Sequence, residues 1–232
     1  NKEEETKEIH RVQELLNQDK ADEAMEIIQR YSDSVDNHSE IGKQWLELLI
    51  RASAATYNTQ QLVVLYEYYP KAFEGQEKAA LLVANAYIAT GRPRDYQHLR
   101  DSWKGRETKP ESWFVLDADK LLQEGKSKEA VELLKSRSFP GKSDTARLIH
   151  LALLSVMENP QESWEYLNQA YTKDPENSEI LSYRAKFLET MGKNSQALLE
   201  YLAAIHVDPK NTYLKDQLAE YYLRQKEYSN AL

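Results

Sequence analysis

Apolar positions along this 232-residue chain recur at helical spacing. Leu148, Leu151, Ala152 and Val156 fall on one face of a helix. Uninterrupted apolar runs such as residues 62–66 and 151–154 are far shorter than the roughly 20 residues that cross a bilayer. Several predicted helices open on polar residues, as in Lys20-Ala21-Asp22-Glu23 and Lys126-Ser127-Lys128-Glu129. Acids such as Asp22, Glu23 and Glu129 suit the positive end of a helix dipole. The seven glycines and seven prolines fall at turns, a pattern of helices joined by short loops.

The pattern repeats about every 34 residues. Pro175 and Pro209 are 34 apart, as are Ala170 and Ala204, and Asp174-Pro175-Glu176-Asn177 is echoed by Asp208-Pro209-Lys210-Asn211. The clearest copy, residues 178–211, carries Leu181, Ala185, Leu188, Gly192, Ala197, Tyr201, Ala204 and Pro209. Small residues let helices approach, large ones fill the space between them, and proline stops the second helix.

A 34-residue helix–turn–helix period resembles the tetratricopeptide repeat family. The resemblance is strongest over residues 77–232 and weaker over 1–76, where it rests on period and apolar pattern. The units read as 5–38, 43–76, 77–110, 111–143, 144–177, 178–211 and an incomplete 212–232, with a small insertion at 39–42. Unit 111–143 keeps Phe114, Ala118, Leu121, Gly125, Ala130 and Leu134; in 144–177 Ser163 replaces the usual alanine. Unit 77–110 departs at Tyr96 and Arg100, and in 43–76 Tyr57 stands where a turn glycine belongs. In the last unit Leu218, Ala219, Tyr222, Tyr228 and Ala231 carry the pattern, which places the chain end inside a second helix. The expectation is a single array, a fragment of a longer protein. Its implied fold is all-α, a right-handed alpha-alpha superhelix of antiparallel helix hairpins.

The net charge of −8, spread along the chain, argues against a nucleic-acid partner. The absence of cysteine removes disulfide and thiolate chemistry. It leaves the compartment open, with a soluble, cytoplasmic location favoured over an exported one. No phosphate loop, HExxH or GxSxG motif is present. His10, His38, His98, His150 and His206 are scattered singly, so neither metal nor cofactor is expected, and the chain does not read as an enzyme. Asp117, His150 and Arg184 fall at equivalent places in three units. They read as wet heads on packed stems. The basic-leaning stretch from Arg92 to Lys109 reads as a solvated outer face, and Tyr66, Tyr68, Tyr69, Trp103 and Trp113 as packing residues.

The resemblance implies that the first helix of each unit lines a concave face. Its middle would hold Leu81, Asn85, Ile88, Val115, Asp119, Leu122, Leu148, Ala152 and Ser155; its later part would hold Glu179, Ser182, Lys186, Glu189, Asp216, Glu220 and Leu223. The expected role is a protein-binding scaffold that takes a peptide or protein segment in this groove. Apolar anchors would sit in the middle, and the mainly acidic end would prefer basic residues. Two alternatives stay open at this point. Another part of the chain could cover the apolar wall, and the array could be a recruiting or regulatory arm of a larger enzyme or export assembly. Self-association through the repeat ends is a third expectation. Some relatives clamp the carboxylate of chaperone tails. Here Leu81 stands where that clamp has a lysine, Leu116 where it has its second asparagine, and Thr145 and Ile149 where it has a basic pair.

Overall fold

The computed structural model describes residues 1–231, with side chains through Glu227. Among the described residues the chain is an all-helical, repeat-like array of thirteen α-helices with no strand. They are α1 (Lys2–Asn17), α2 (Ala21–Arg30), α3 (Glu40–Ala55), α4 (Thr59–Tyr68), α5 (Glu77–Ala89), α6 (Pro93–Trp103), α7 (Pro110–Gln123), α8 (Ser127–Lys135), α9 (Thr145–Ser155), α10 (Pro160–Lys173), α11 (Ser178–Thr190), α12 (Asn194–Val207) and α13 (Thr212–Ala231). Short 3-10 turns precede α3, α5 and α9. The chain divides into two compact units, Asn1–Lys126 and Ser127–Leu232, a division that falls inside the stretch 111–143.

In the first unit α1 pairs with α2, α3 with α4 and α5 with α6, while α1, α3, α5 and α7 pack as successive neighbours. In the second, α9 pairs with α10 and α11 with α12; α8 packs on α9, α10 on α11 and α12 on α13.

The reversals explain the 34-residue spacing. Asp19, Tyr57, Gly91, Gly125 and Gly192 all have positive φ. After each, the next residue's N–H bonds a carbonyl five residues back: Lys20 to Leu15, Asn58 to Ser53, Arg92 to Tyr87, Lys126 to Leu121 and Lys193 to Leu188. This left-handed cap satisfies carbonyls that a helix end leaves free. Glycine adopts it without strain. Tyr57 adopts it at φ 54° with its ring 68% exposed, as its place in the repeat demands. A Cβ at Gly91 would meet nothing closer than Gln123 Nε2 at 3.7 Å. Gly91→Ala therefore carries backbone strain alone, an expected loss of about 1 kcal/mol. Thermal unfolding should show it as a Tm lower by roughly 2–4 °C.

The recurring small position is where helices touch. Ala24, Ala130 and Ala197 are fully buried and Ser163 nearly so. The Ser163 hydroxyl donates to the Ala152 carbonyl at 2.8 Å, which makes serine an acceptable alanine. Two later repeats of the first unit fill the same position with larger side chains, Leu62 and Tyr96, both fully buried. Tyr96 is satisfied there because its hydroxyl donates to Asp117 Oδ1 at 2.6 Å. Burial, then Asp117, pushes the Tyr96 hydroxyl far above its ordinary acidity range. Arg100, the second departure, pairs with Glu107 at 2.7 Å and Asp117 at 3.3 Å and lies 5.3 Å from the Trp113 ring.

Proline acts as expected at the ends of α10 and α12. Both stop one residue before Asp174 and Asp208, each of which precedes a proline that disfavours helical backbone. The expectation for the final stretch fails. No reversal follows Arg224; α13 continues through Ala231 as one helix. Its run Leu-Arg-Gln-Lys-Glu holds strong helix formers and no glycine. Tyr228 and Ala231 lie outside the residues whose side chains are described. Ala219 is exposed.

Candidate functional site

The expected groove residues divide into two kinds. Ile88, Val115, Leu148 and Ala152 are buried, Leu148 completely. Ile88 belongs to the first unit's core with Ala84, Tyr87 and Leu99. Leu148 packs with Ile149, Ala170 and Ile180. Leu81, packed against the first unit's core, is half-buried, as are Asp119, Leu122 and Ser155, and Asn85 is exposed. The apolar wall is thus largely interior: helices of the same unit cover Ile88 and Leu148.

Lys186 and Glu189 behave differently, because the structure brings them together in a trough between α11 and α13. One cleft of about 480 Å3 is lined by Glu179, Ser182, Tyr183, Lys186 and Tyr213 among others. A second of about 510 Å3 is lined by Lys186, Glu189, Tyr201, Gln217, Glu220 and Arg224. Lys186 belongs to both. The α11 residues Glu179, Ser182, Lys186 and Glu189 are spaced by three, four and three, so they line one face.

Caps position the two helices. Asn177 Oδ1 accepts from the N–H groups of Glu179 and Ile180, and Asn211 Oδ1 from that of Tyr213. Leu181, Ala204 and Leu214 pack α11, α12 and α13 together under the first cleft. Ala185, Leu188, Ala197, Tyr201 and Tyr221 do so under the second.

Most charge in the second cleft is already committed. Glu189 accepts from Arg224 Nε at 2.6 Å and from Tyr201 Oη at 2.9 Å. The Arg224 guanidinium holds the Glu189 carboxyl below its usual range, against the opposing effect of burial. Burial, then the Glu189 carboxylate, raises the Tyr201 hydroxyl well above its ordinary value. Glu220 stands 4.0 Å from Arg224. Lys186 has no carboxylate partner among the described residues; its ammonium lies 5.5 Å from the Tyr183 ring and 5.9 Å from the Tyr213 ring. On the floor, Ser182 Oγ donates to Gln217 Oε1 at 2.7 Å.

Sequence reasoning missed Tyr183, Tyr213, Gln217 and Arg224. On α13 it chose Asp216, Glu220 and Leu223; Glu220 lines the second cleft, whereas Asp216 and Leu223 are exposed and line neither. Beside Glu220 the trough takes Gln217 and Arg224, the residues that follow those two. The other polar series dissolves into packing. Asp117 is held by Tyr96 and Arg100, and Arg184 pairs with Glu200 at 3.0 Å with its guanidinium 4.0 Å from the Tyr171 ring. The basic stretch is largely neutralised, Arg92 by Glu67 and Asp95 and Lys104 by Asp101. Tyr66 packs edge-on against Phe73. Tyr68 departs from the packing expectation at 75% exposure.

No group of three or more His, Cys, Asp or Glu among the described residues could hold a metal ion. No described helix is long and apolar enough to cross a membrane. No protein-family model matches the chain, and no curated protein matches it.

Proposed function

We propose that this chain is a non-catalytic interaction scaffold of the tetratricopeptide type that holds a protein or peptide segment in the α11–α13 trough. The 34-residue spacing of left-handed turns, the buried small position and the paired helices support the family reading. A right-handed superhelix is the architecture that reading entails. The trough itself carries the binding reading. It is two connected clefts with a shared, uncommitted cation, set on rigid helices rather than loops. Such a surface suits a segment laid across successive helices.

The test is retention of partners on the immobilised full chain, against the variant Lys186→Glu/Glu220→Lys. Both side chains are exposed, so the fold should survive, and far-ultraviolet circular dichroism checks that. A protein or peptide held by the wild type should be retained at least tenfold less by the variant. Equal retention by a folded variant, or no retained partner, defeats the proposal.

A further inference from the structure

Resting on that reading, we infer that the trough takes an extended peptide with a main-chain carbonyl on Gln217 and an acidic side chain on Lys186. Gln217 is only 4% exposed, and its Nε2 has no acceptor in the protein. Its Oε1 is fixed by Ser182, so the unsatisfied end is the donor, and Gln217 lines the second cleft. A buried amide donor without an acceptor is unfavourable, and a turn of the Gln217 side chain that brings Nε2 to the cleft surface and onto a ligand oxygen recovers the lost bond. A main-chain carbonyl supplies that oxygen whatever the peptide's sequence.

The charge preference follows from which groups are already paired. The sequence suggests an acidic groove that favours basic ligands. In the fold Glu189 is taken by Arg224 and Tyr201, and Glu220 leans on Arg224. The cation at the junction of the clefts, Lys186, is opposed by no carboxylate, and the Tyr183 and Tyr213 rings flank it. A ligand carboxylate therefore fits at the centre. Glu179 lines the first cleft one side of it, about 10 Å along α11. It disfavours a second acid there, and a basic residue about three positions away in an extended peptide would face it.

The experiment pans a library of random twelve-residue peptides against the full chain, followed by fluorescence anisotropy on synthetic copies. Recovered sequences should be enriched in Asp or Glu at one position. Changing that residue to its amide should weaken binding about tenfold, and Lys186→Glu should do the same while selecting Lys or Arg there instead. Gln217→Met, which keeps the shape and removes the amide, should weaken all recovered peptides about equally. If Gln217→Met does not fold, the charge swap at Lys186 decides. Peptides that lose affinity for Lys186→Glu/Glu220→Lys yet show no acid preference overturn this inference and leave the peptide trough standing. Failure to recover any peptide sensitive to that double variant overturns both.

Discussion

Trp113→Ala should lower the unfolding free energy by about 3–5 kcal/mol, the range for removing a large buried aromatic. Trp113 has no exposed surface, and its ring stacks on Trp103 with centroids 5.9 Å apart. It joins a core that draws on α3, α4, α5, α6 and α7, including Tyr87, Tyr96 and Leu99. Truncation opens a cavity where several helices meet and removes the face on which the Arg100 guanidinium lies. Arg100 would keep Glu107 and Asp117 but lose its apolar support. The Trp113 Nε1 has no acceptor, so Trp113→Phe, which deletes that donor along with part of the ring, should cost clearly less. Tyr68→Ala serves as the contrast: its side chain is 75% exposed, and the change should stay within about 0.5 kcal/mol. Urea unfolding followed by far-ultraviolet circular dichroism gives all three. A Trp113→Ala midpoint close to that of the wild type would mean that α7 does not seal this core.

Sequence carried the architecture further than the site. A turn that needs positive φ announces itself as Gly91, Gly125 and Gly192, and the fixed period then exposes Tyr57 as the same turn under another residue. Close helix contact likewise selects Ala24, Ala130 and Ala197. Those signals are local, because each depends on one backbone conformation or one short distance. What fills a shared face is not local. The family resemblance put Val115, Leu148 and Ile88 on a groove wall, but all three are buried, and Leu148 packs on Ala170 and Ile180 of other helices. Tyr96 and Arg100 break the pattern singly and are explained only together, through Asp117 on the next helix. In the trough, Lys186 and Glu189 were legible through the family resemblance, which places the first helix of each unit on the groove. Gln217 and Arg224 were not, since their places are set by Ser182 and Glu189 on a different helix.

Asp144 shows how a buried charge escapes sequence reading altogether, and removing it should cost the second unit about 3 kcal/mol at neutral pH. It precedes α9 as a helix cap would, yet its side chain caps nothing. The carboxylate is fully buried and accepts from Arg147 at 2.6 and 2.8 Å, from Lys173 at 2.8 Å and from the Phe139 N–H at 3.0 Å. Arg147 also donates to the Leu134 carbonyl at 2.9 Å. One acid thus ties the ends of α8 and α10 to the start of α9. Asp144→Asn keeps the shape but leaves two cations facing a neutral amide. Burial alone would raise the carboxyl's pKa; Arg147, Lys173 and the Phe139 N–H outweigh it and hold the group below its ordinary 3.8. An acid depressed in this way adds stability above its unfolded value and loses it as the pH falls through the folded one. The gap between wild type and Asp144→Asn should therefore be full at pH 7, begin to close as the pH drops below about 4, and shrink further toward the folded value. Urea midpoints for both proteins between pH 7 and pH 3 measure it. A gap that stays constant across that range would mean that the Asp144 charge is not what binds these helix ends.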